Sequence, residues 1–142
     1  NRGNVDAMNN MGYMYASGFG RLMSAESALY WYQKAAALNH SKAMYNIGAL
    51  YAEGRGVERD LQKCAEWLTK AAMRGETTAQ FNLGNMYYLG KGVERDLVEA
   101  EKWYRLAEEK GHRNAKRFRE HLEQHLDIAE LDSTFAVHLI PE

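Results

Sequence analysis

Four groups of residues in this 142-residue chain have types and spacings that chemistry could use. Cys64, the single cysteine, is a possible nucleophile or redox thiol, since a thiolate reacts wherever its surroundings lower its pKa. His121 and His125 stand at i, i+4, which on a helix points two imidazoles at one divalent metal. The segments Gly54-Arg55-Gly56 and Gly90-Lys91-Gly92 place glycines close enough for backbone amides to cradle a phosphate. Glu108 and Glu109 offer adjacent carboxylates for acid and base work.

Each group falls short on a specific requirement. A zinc-protease helix needs Glu directly after its first His, whereas Glu123 comes one place late and no third ligand is in sight. A dinucleotide fingerprint needs a preceding strand and a third glycine, and a phosphate loop needs Gly-Lys followed by Ser or Thr; Gly90-Lys91-Gly92-Val93 meets neither condition. Glu108 and Glu109 belong to a solvated charge run without a convergent partner. No Ser-His-Asp or Cys-His motif has its local context. The reading is therefore no catalytic residue, no metal ligand and no cofactor site.

The elements that must carry these residues emerge when the chain is laid against itself at an offset of 36. Ala7, Ala43, Ala79 and Ala115 share a column, as do Gly12, Gly48 and Gly84, then Tyr15, Tyr51 and Tyr87. Gly18, Gly54 and Gly90 match, followed by Gly20, Gly56 and Gly92, Trp31, Trp67 and Trp103, and Ala35, Ala71 and Ala107. Cys64 occupies the column of Ala28 and Ala100, so it stands in for a small packed residue. The glycine loops recur with the repeat, and the Tyr and Trp columns follow the helix period as packing residues.

Each unit reads as two helices. Ala43, Ile47, Leu50 and Tyr51 form the stripe of the first, with Ser41 and Thr77 expected as N-caps in successive units. Gly54 ends that helix, because glycine takes the left-handed conformation without penalty. In the loop, Val57 plugs the gap between helices and Asp60 caps the next helix; Asp96 with Glu99 suggests a capping box. Leu61, Cys64, Leu68, Ala71 and Ala72 make the second helix's apolar face, closed by Gly75 and Gly111. Small residues such as Gly48 allow close helix approach. The first unit departs from the pattern, with Arg21 and Ser24 in the Val57 and Asp60 columns and Asn39 in place of the closing glycine.

The run Ala79-x-x-Asn82-Leu83-Gly84-x-x-Tyr87-x-x-Gly90-x-Gly92-Val93-x-x-Asp96, continued by Ala100-x-x-Trp103-Tyr104-x-x-Ala107 and Gly111, resembles the Sel-one-like repeat. That family is related to the tetratricopeptide repeat, and the resemblance covers residues 5–112. It implies an all-α fold, a right-handed α/α superhelix in a single solenoid domain. Its parts are three helix-turn-helix repeats at about 5–40, 41–76 and 77–112, a capping helix at about 113–125 and a tail over 126–142.

Arg2-Gly3-Asn4 reads as the end of a preceding unit's second helix, which makes the chain the C-terminal part of a longer array. The tail, with Leu126, Ile128, Leu131, Phe135, Val137, Leu139 and Ile140, is apolar enough to pack on the solenoid or on another chain. Lys plus Arg number 18 against 19 Asp plus Glu, a net charge of −1 that argues against nucleic-acid binding. No apolar run reaches the length of a membrane span, so direct membrane insertion is not expected. Self-association through the first repeat's exposed face or the tail is open.

In tetratricopeptide-like solenoids the first helices line a concave side, and the resemblance carries that geometry to this chain. The groove is then assigned to Asn10 and Tyr13 in the first unit, Tyr45, Asn46, Ala49 and Glu53 in the second, and Phe81, Asn82, Asn85, Tyr88 and Leu89 in the third. The column Asn10/Asn46/Asn82 could hold an extended peptide backbone, or could bond a neighbouring repeat. Neighbouring columns vary over the fixed frame, and their aromatic residues suit an interface.

The leading functional expectation is a non-enzymatic adaptor that binds a protein or extended peptide in this groove. Proteins resembling this family assemble membrane-associated complexes, support bacterial secretion or polarity, or serve endoplasmic-reticulum degradation. An alternative is a bacterial immunity or regulatory protein binding a cognate toxin. A remote alternative is a hydrolase of the β-lactam-binding type, whose relatives carry paired cysteines that this chain lacks.

Overall fold

The computed structural model describes residues 2–17, 25–54 and 57–133. Among them it contains seven helices and no strand: α1 (Arg2–Ser17), α2 (Ala25–Ala37), α3 (Ser41–Glu53), α4 (Leu61–Met73), α5 (Thr77–Leu89), α6 (Leu97–Glu109) and α7 (Arg113–Ser133). The all-α helical-repeat expectation is thus met. The chain divides into two compact units, Asn1–Glu76 and Thr77–Glu142.

In the first unit α1 packs on α2, α2 on α3 and α3 on α4. Its core is built by Ala28, Tyr32 and Ala35 on α2, Ala43, Ile47 and Leu50 on α3, and Cys64, Leu68 and Ala71 on α4. Gly48 lets α3 approach α4 closely, since a Cβ there would lie 3.2 Å from Leu68 Cδ2 and 3.3 Å from the Cys64 carbonyl.

In the second unit α5 packs on α6 and α6 on α7. Leu97, Ala100, Tyr104, Ala107, Ala115 and Leu122 form one buried cluster, with Phe81, Tyr87 and Tyr88 packed against it. Tyr104 is only 1% exposed and lies so near Gly84 that a Cβ would come within 2.6 Å of its ring. The closing helix is therefore a core element as well as a polar lid, contributing Ala115 and Leu122.

Local signals explain the helix ends. Gly54 adopts φ 68°, ψ 30°, and its N–H donates to the Leu50 carbonyl at 2.9 Å. Asn39 takes the same left-handed region at φ 69° in the column where Gly75 and Gly111 sit at φ 91° and 92°. Its side-chain oxygen accepts from Arg74 at 2.7 Å. Asp60 Oδ1 accepts from the Lys63 N–H at 3.0 Å, and Asp96 Oδ1 from the Val98 and Glu99 N–H groups at 3.1 Å, the capping expected of this column.

Several expectations are corrected. Ser41 and Thr77 are the first residues inside α3 and α5 rather than caps. The cap of α3 is His40, whose Nδ1 accepts from Ala43 N–H at 3.1 Å, and His112 does the same for Ala115 at 3.1 Å. An imidazole nitrogen here does what a hydroxyl was expected to do. Asp96 and Glu99 do not close a capping box, because the Asp96 N–H donates to the Tyr87 carbonyl at 3.0 Å, as Asp60 N–H does to Tyr51. Residues 2–4 are helical and run on into α1. The closing helix runs to Ser133, eight residues beyond the expected end, so part of the expected tail is helical. Arg21, Ser24 and residues 134–142 lie outside the described residues.

Candidate functional site

Cys64, the glycine-loop residues Gly54 and Gly90, and Glu108 are held by structural duties, while Gly56 and the His125 side chain lie outside the described residues. Cys64 is buried, and burial pushes its thiol above the ordinary range, away from a reactive thiolate. In the second glycine loop the Gly90 and Lys91 N–H groups both donate to the Met86 carbonyl, at 2.7 and 3.0 Å. Those amides finish α5 instead of facing a phosphate. The loop arginines follow one plan, Arg59 Nε donating to the Ala52 carbonyl and Arg95 Nε to the Tyr88 carbonyl, each at 3.1 Å. Gly54 also has the Arg59 Cβ close above it, so a side chain at 54 would clash besides being strained.

Glu108 and Glu123 bind Arg119. Its guanidinium grips Glu108 with both Nε and Nη2, the latter at 3.1 Å, and reaches Glu123 at 2.8 Å through Nη1. Arg105 joins Glu101 to Glu123, the second bond at 2.9 Å. The Arg119 hydrogen bond holds the Glu108 carboxyl below its usual range. A hydrogen bond with Glu101, then the bond from Arg119, does the same for Glu123. Burial raises Glu101. The network ties α6 to α7. Glu123 is thereby committed within the protein, and no group of three His, Cys, Asp or Glu that could hold a metal occurs among the described residues.

The first-helix faces remain. On the first unit Tyr13 is 58% exposed, Asn10 and Glu53 are exposed, and Tyr45, Asn46 and Ala49 are half-buried. Asn46 Nδ2 donates to the Asn9 side-chain oxygen at 3.0 Å, so this asparagine bonds the neighbouring repeat. Tyr32 lies beneath, its hydroxyl pushed up to about 12 by burial and then by Tyr13 and Glu53 nearby.

On the second unit Leu89 is 57% exposed, while Phe81, Asn82, Asn85 and Tyr88 are half-buried. Asn85 accepts from the Tyr104 hydroxyl at 2.6 Å. Phe81 stacks on His112 with centroids 4.3 Å apart and meets Phe118 at 5.2 Å. Phe81 is thus partly a packing residue between α5 and α7, and Asn85 positions a buried tyrosine. Tyr88 lines a pocket of about 360 Å³ together with Tyr104, Arg117, Phe118 and His121.

Arg117, Phe118 and His121 escaped the sequence reading although a signal existed. They lie 36 residues after Phe81, Asn82 and Asn85, so those three columns continue onto α7. Beyond Ala115, Glu120 and Glu123 break the glycine and tyrosine columns and mask that continuation. A second cleft, of about 740 Å³, opens on the first unit among Val5, Asp6, Asn39, His40, Lys42 and Glu76, where His40 Nε2 and Asp6 lie 2.9 Å apart.

A model of the Sel1 repeat matches residues 5–40, 41–76 and 77–112. Among solved structures, a Sel1 repeat protein from Oxalobacter formigenes is 34% identical over 83% of the chain, with a TM-score of 0.79. The protective antigen c5321 of uropathogenic Escherichia coli, described as displaying an SLR fold, is 37% identical over 78% of the chain, TM-score 0.75. The chain spans 49% of the first of these proteins and 24% of the second. Helicobacter pylori cysteine-rich protein B, at 24% identity over 82% of the chain and a TM-score of 0.69, shares the fold. None of the curated proteins matches. With three matched repeats filling residues 5–112, the chain belongs to the Sel1 repeat family.

Proposed function

We propose that this chain is a non-enzymatic adaptor that takes a partner protein or extended peptide on the faces of its first helices, α1 and α3 in one unit and α5 in the other. Sel1 repeat proteins are generally protein-interaction scaffolds. No helix among the described residues is long and apolar enough to cross a membrane.

One observation carries the finer reading: an invariant buried frame supports neighbouring positions that change from unit to unit. Gly12, Gly48 and Gly84 are buried, each against the second helix of its own pair. One residue further on, Tyr13, Ala49 and Asn85 differ in size, polarity and exposure. Large apolar side chains left in water, such as Tyr13 and Leu89, are the anchors an interface desolvates.

Peptides selected on the protein from a random display library test this. Tyr13→Ala and Leu89→Ala remove mostly exposed side chains, so stability should change little while affinity drops about tenfold or more. Selected peptides whose affinity ignores both substitutions would refute the assignment. Phe81→Ala is the poorer probe, since losing its contacts with His112 and Phe118 would loosen the packing of α7 as well.

A further inference from the structure

The pocket on the second unit supports a more specific assignment, which rests on the adaptor reading above. Tyr104 is its buried base, Tyr88 and Phe118 are aromatic walls, and Arg117 and His121 are exposed at its rim. At about 360 Å³ it lies at the small end of ligand pockets, with room for one bulky side chain.

Its charge is one-sided. Helix α5 contains no Asp, Glu, Lys or Arg, and α7 opens with Arg113, Lys116, Arg117 and Arg119 before its first carboxylate, Glu120. Arg119 is taken by Glu108 and Glu123, and Arg105 by Glu101 and Glu123. Arg117, by contrast, has no carboxylate partner among the described residues. It stands beside an apolar hole, with Arg113 and His121 one turn away on either side along the same stripe of α7.

We propose that this pocket receives a bulky apolar side chain from an acidic segment of the partner, with a neighbouring Asp or Glu carboxylate of that segment bound by Arg117. The spacing favours side-chain carboxylates within a segment over a lone terminal one. Arg113, Arg117 and His121 rise about 6 Å per step along the helix. Same-face carboxylates on an extended peptide recur at about 6.6 Å. One terminal carboxylate would occupy a single step of that stripe.

The probe is a fluorescein-labelled decapeptide, acetylated and amidated, in which tryptophan is flanked by glutamates at alternating positions. Fluorescence anisotropy should show binding that is lost when the glutamates become glutamines or the tryptophan becomes alanine, and that weakens with added salt. Arg117→Ala, an exposed substitution checked by its unfolding midpoint, should weaken binding about tenfold, the scale of one charge-assisted hydrogen bond. Arg117→Lys should retain part of the affinity. Equal binding of the glutamine peptide, indifference to Arg117→Ala, or a requirement for a free C-terminal carboxylate would overturn the assignment. If this peptide fails while display-selected peptides still depend on Tyr13 or Leu89, the pocket assignment falls and the adaptor reading stands. If both fail, both fall.

Discussion

Replacing Gly84 and Gly48 by alanine, one at a time, should have unequal consequences although the two glycines share a column. A helical Gly→Ala change contributes roughly 0.5–1 kcal/mol of stability from backbone entropy and helix propensity. At Gly48 the added methyl would lie 3.2 and 3.3 Å from the Leu68 side-chain carbons and 3.3 Å from the Cys64 carbonyl, a crowding of a few tenths of an ångström. The leucine can give that much, so the two effects roughly cancel. At Gly84 the methyl would come within 2.6 and 2.7 Å of the Tyr104 ring. That ring cannot retreat: Phe81 and Phe118 lie 5.8 and 5.7 Å from it, and its hydroxyl is bonded to Asn85. Overpacking of this kind costs about 1–3 kcal/mol. Gly84→Ala should therefore be destabilised by roughly 1–2 kcal/mol net, and Gly48→Ala by less than about half of that.

Urea unfolding followed by far-UV circular dichroism measures both. Leu68 occupies the Tyr104 column, so the second repeat already uses the smaller partner. Tyr104→Leu should accordingly lessen the cost of Gly84→Ala in a double-mutant cycle, giving a clear coupling energy. Equal stabilities for the two alanine variants, or additivity in the cycle, would refute the close-approach argument.

Removing the Asp60 cap with Asp60→Ala should cost about 1 kcal/mol, measured by the same unfolding assay, and Asp96→Ala a similar amount. Acid should loosen α7 from α6. Glu108 and Glu123 have carboxyls held below their usual range, so their contribution is full above the ordinary carboxylate pKa and is lost as pH falls through their lowered values. Glu101, raised by burial, acts in the opposite sense and blunts the effect. Hydrogen exchange of α7 amides at neutral and at strongly acidic pH reads this, with faster exchange expected in acid and in Arg119→Ala at neutral pH.

What was legible in the sequence was whatever repeats. The gapless 36-residue columns locate every helix pair, the left-handed residues Gly54, Asn39 and Gly75, and the small residues of close approach, because each is required by backbone geometry. Caps were half legible. Aspartate before a helix is a strong signal, whereas His40 and His112 cap through a ring nitrogen whose role depends on one dihedral angle and one rotamer. The face of the second unit was least legible. Phe81 and Asn85 look like free groove residues until α7 is placed against α5, and α7 is where the repeating columns fade. Arg117 and His121 became visible as pocket residues only through that packing.

We assign the binding face to the first helices. The most direct test is amide chemical-shift mapping on isotope-labelled protein titrated with a display-selected peptide. Perturbations should concentrate in α1, α3, α5 and the Arg117–His121 turn of α7. Perturbations confined to α2, α4 and α6, with the first helices unmoved, would contradict it.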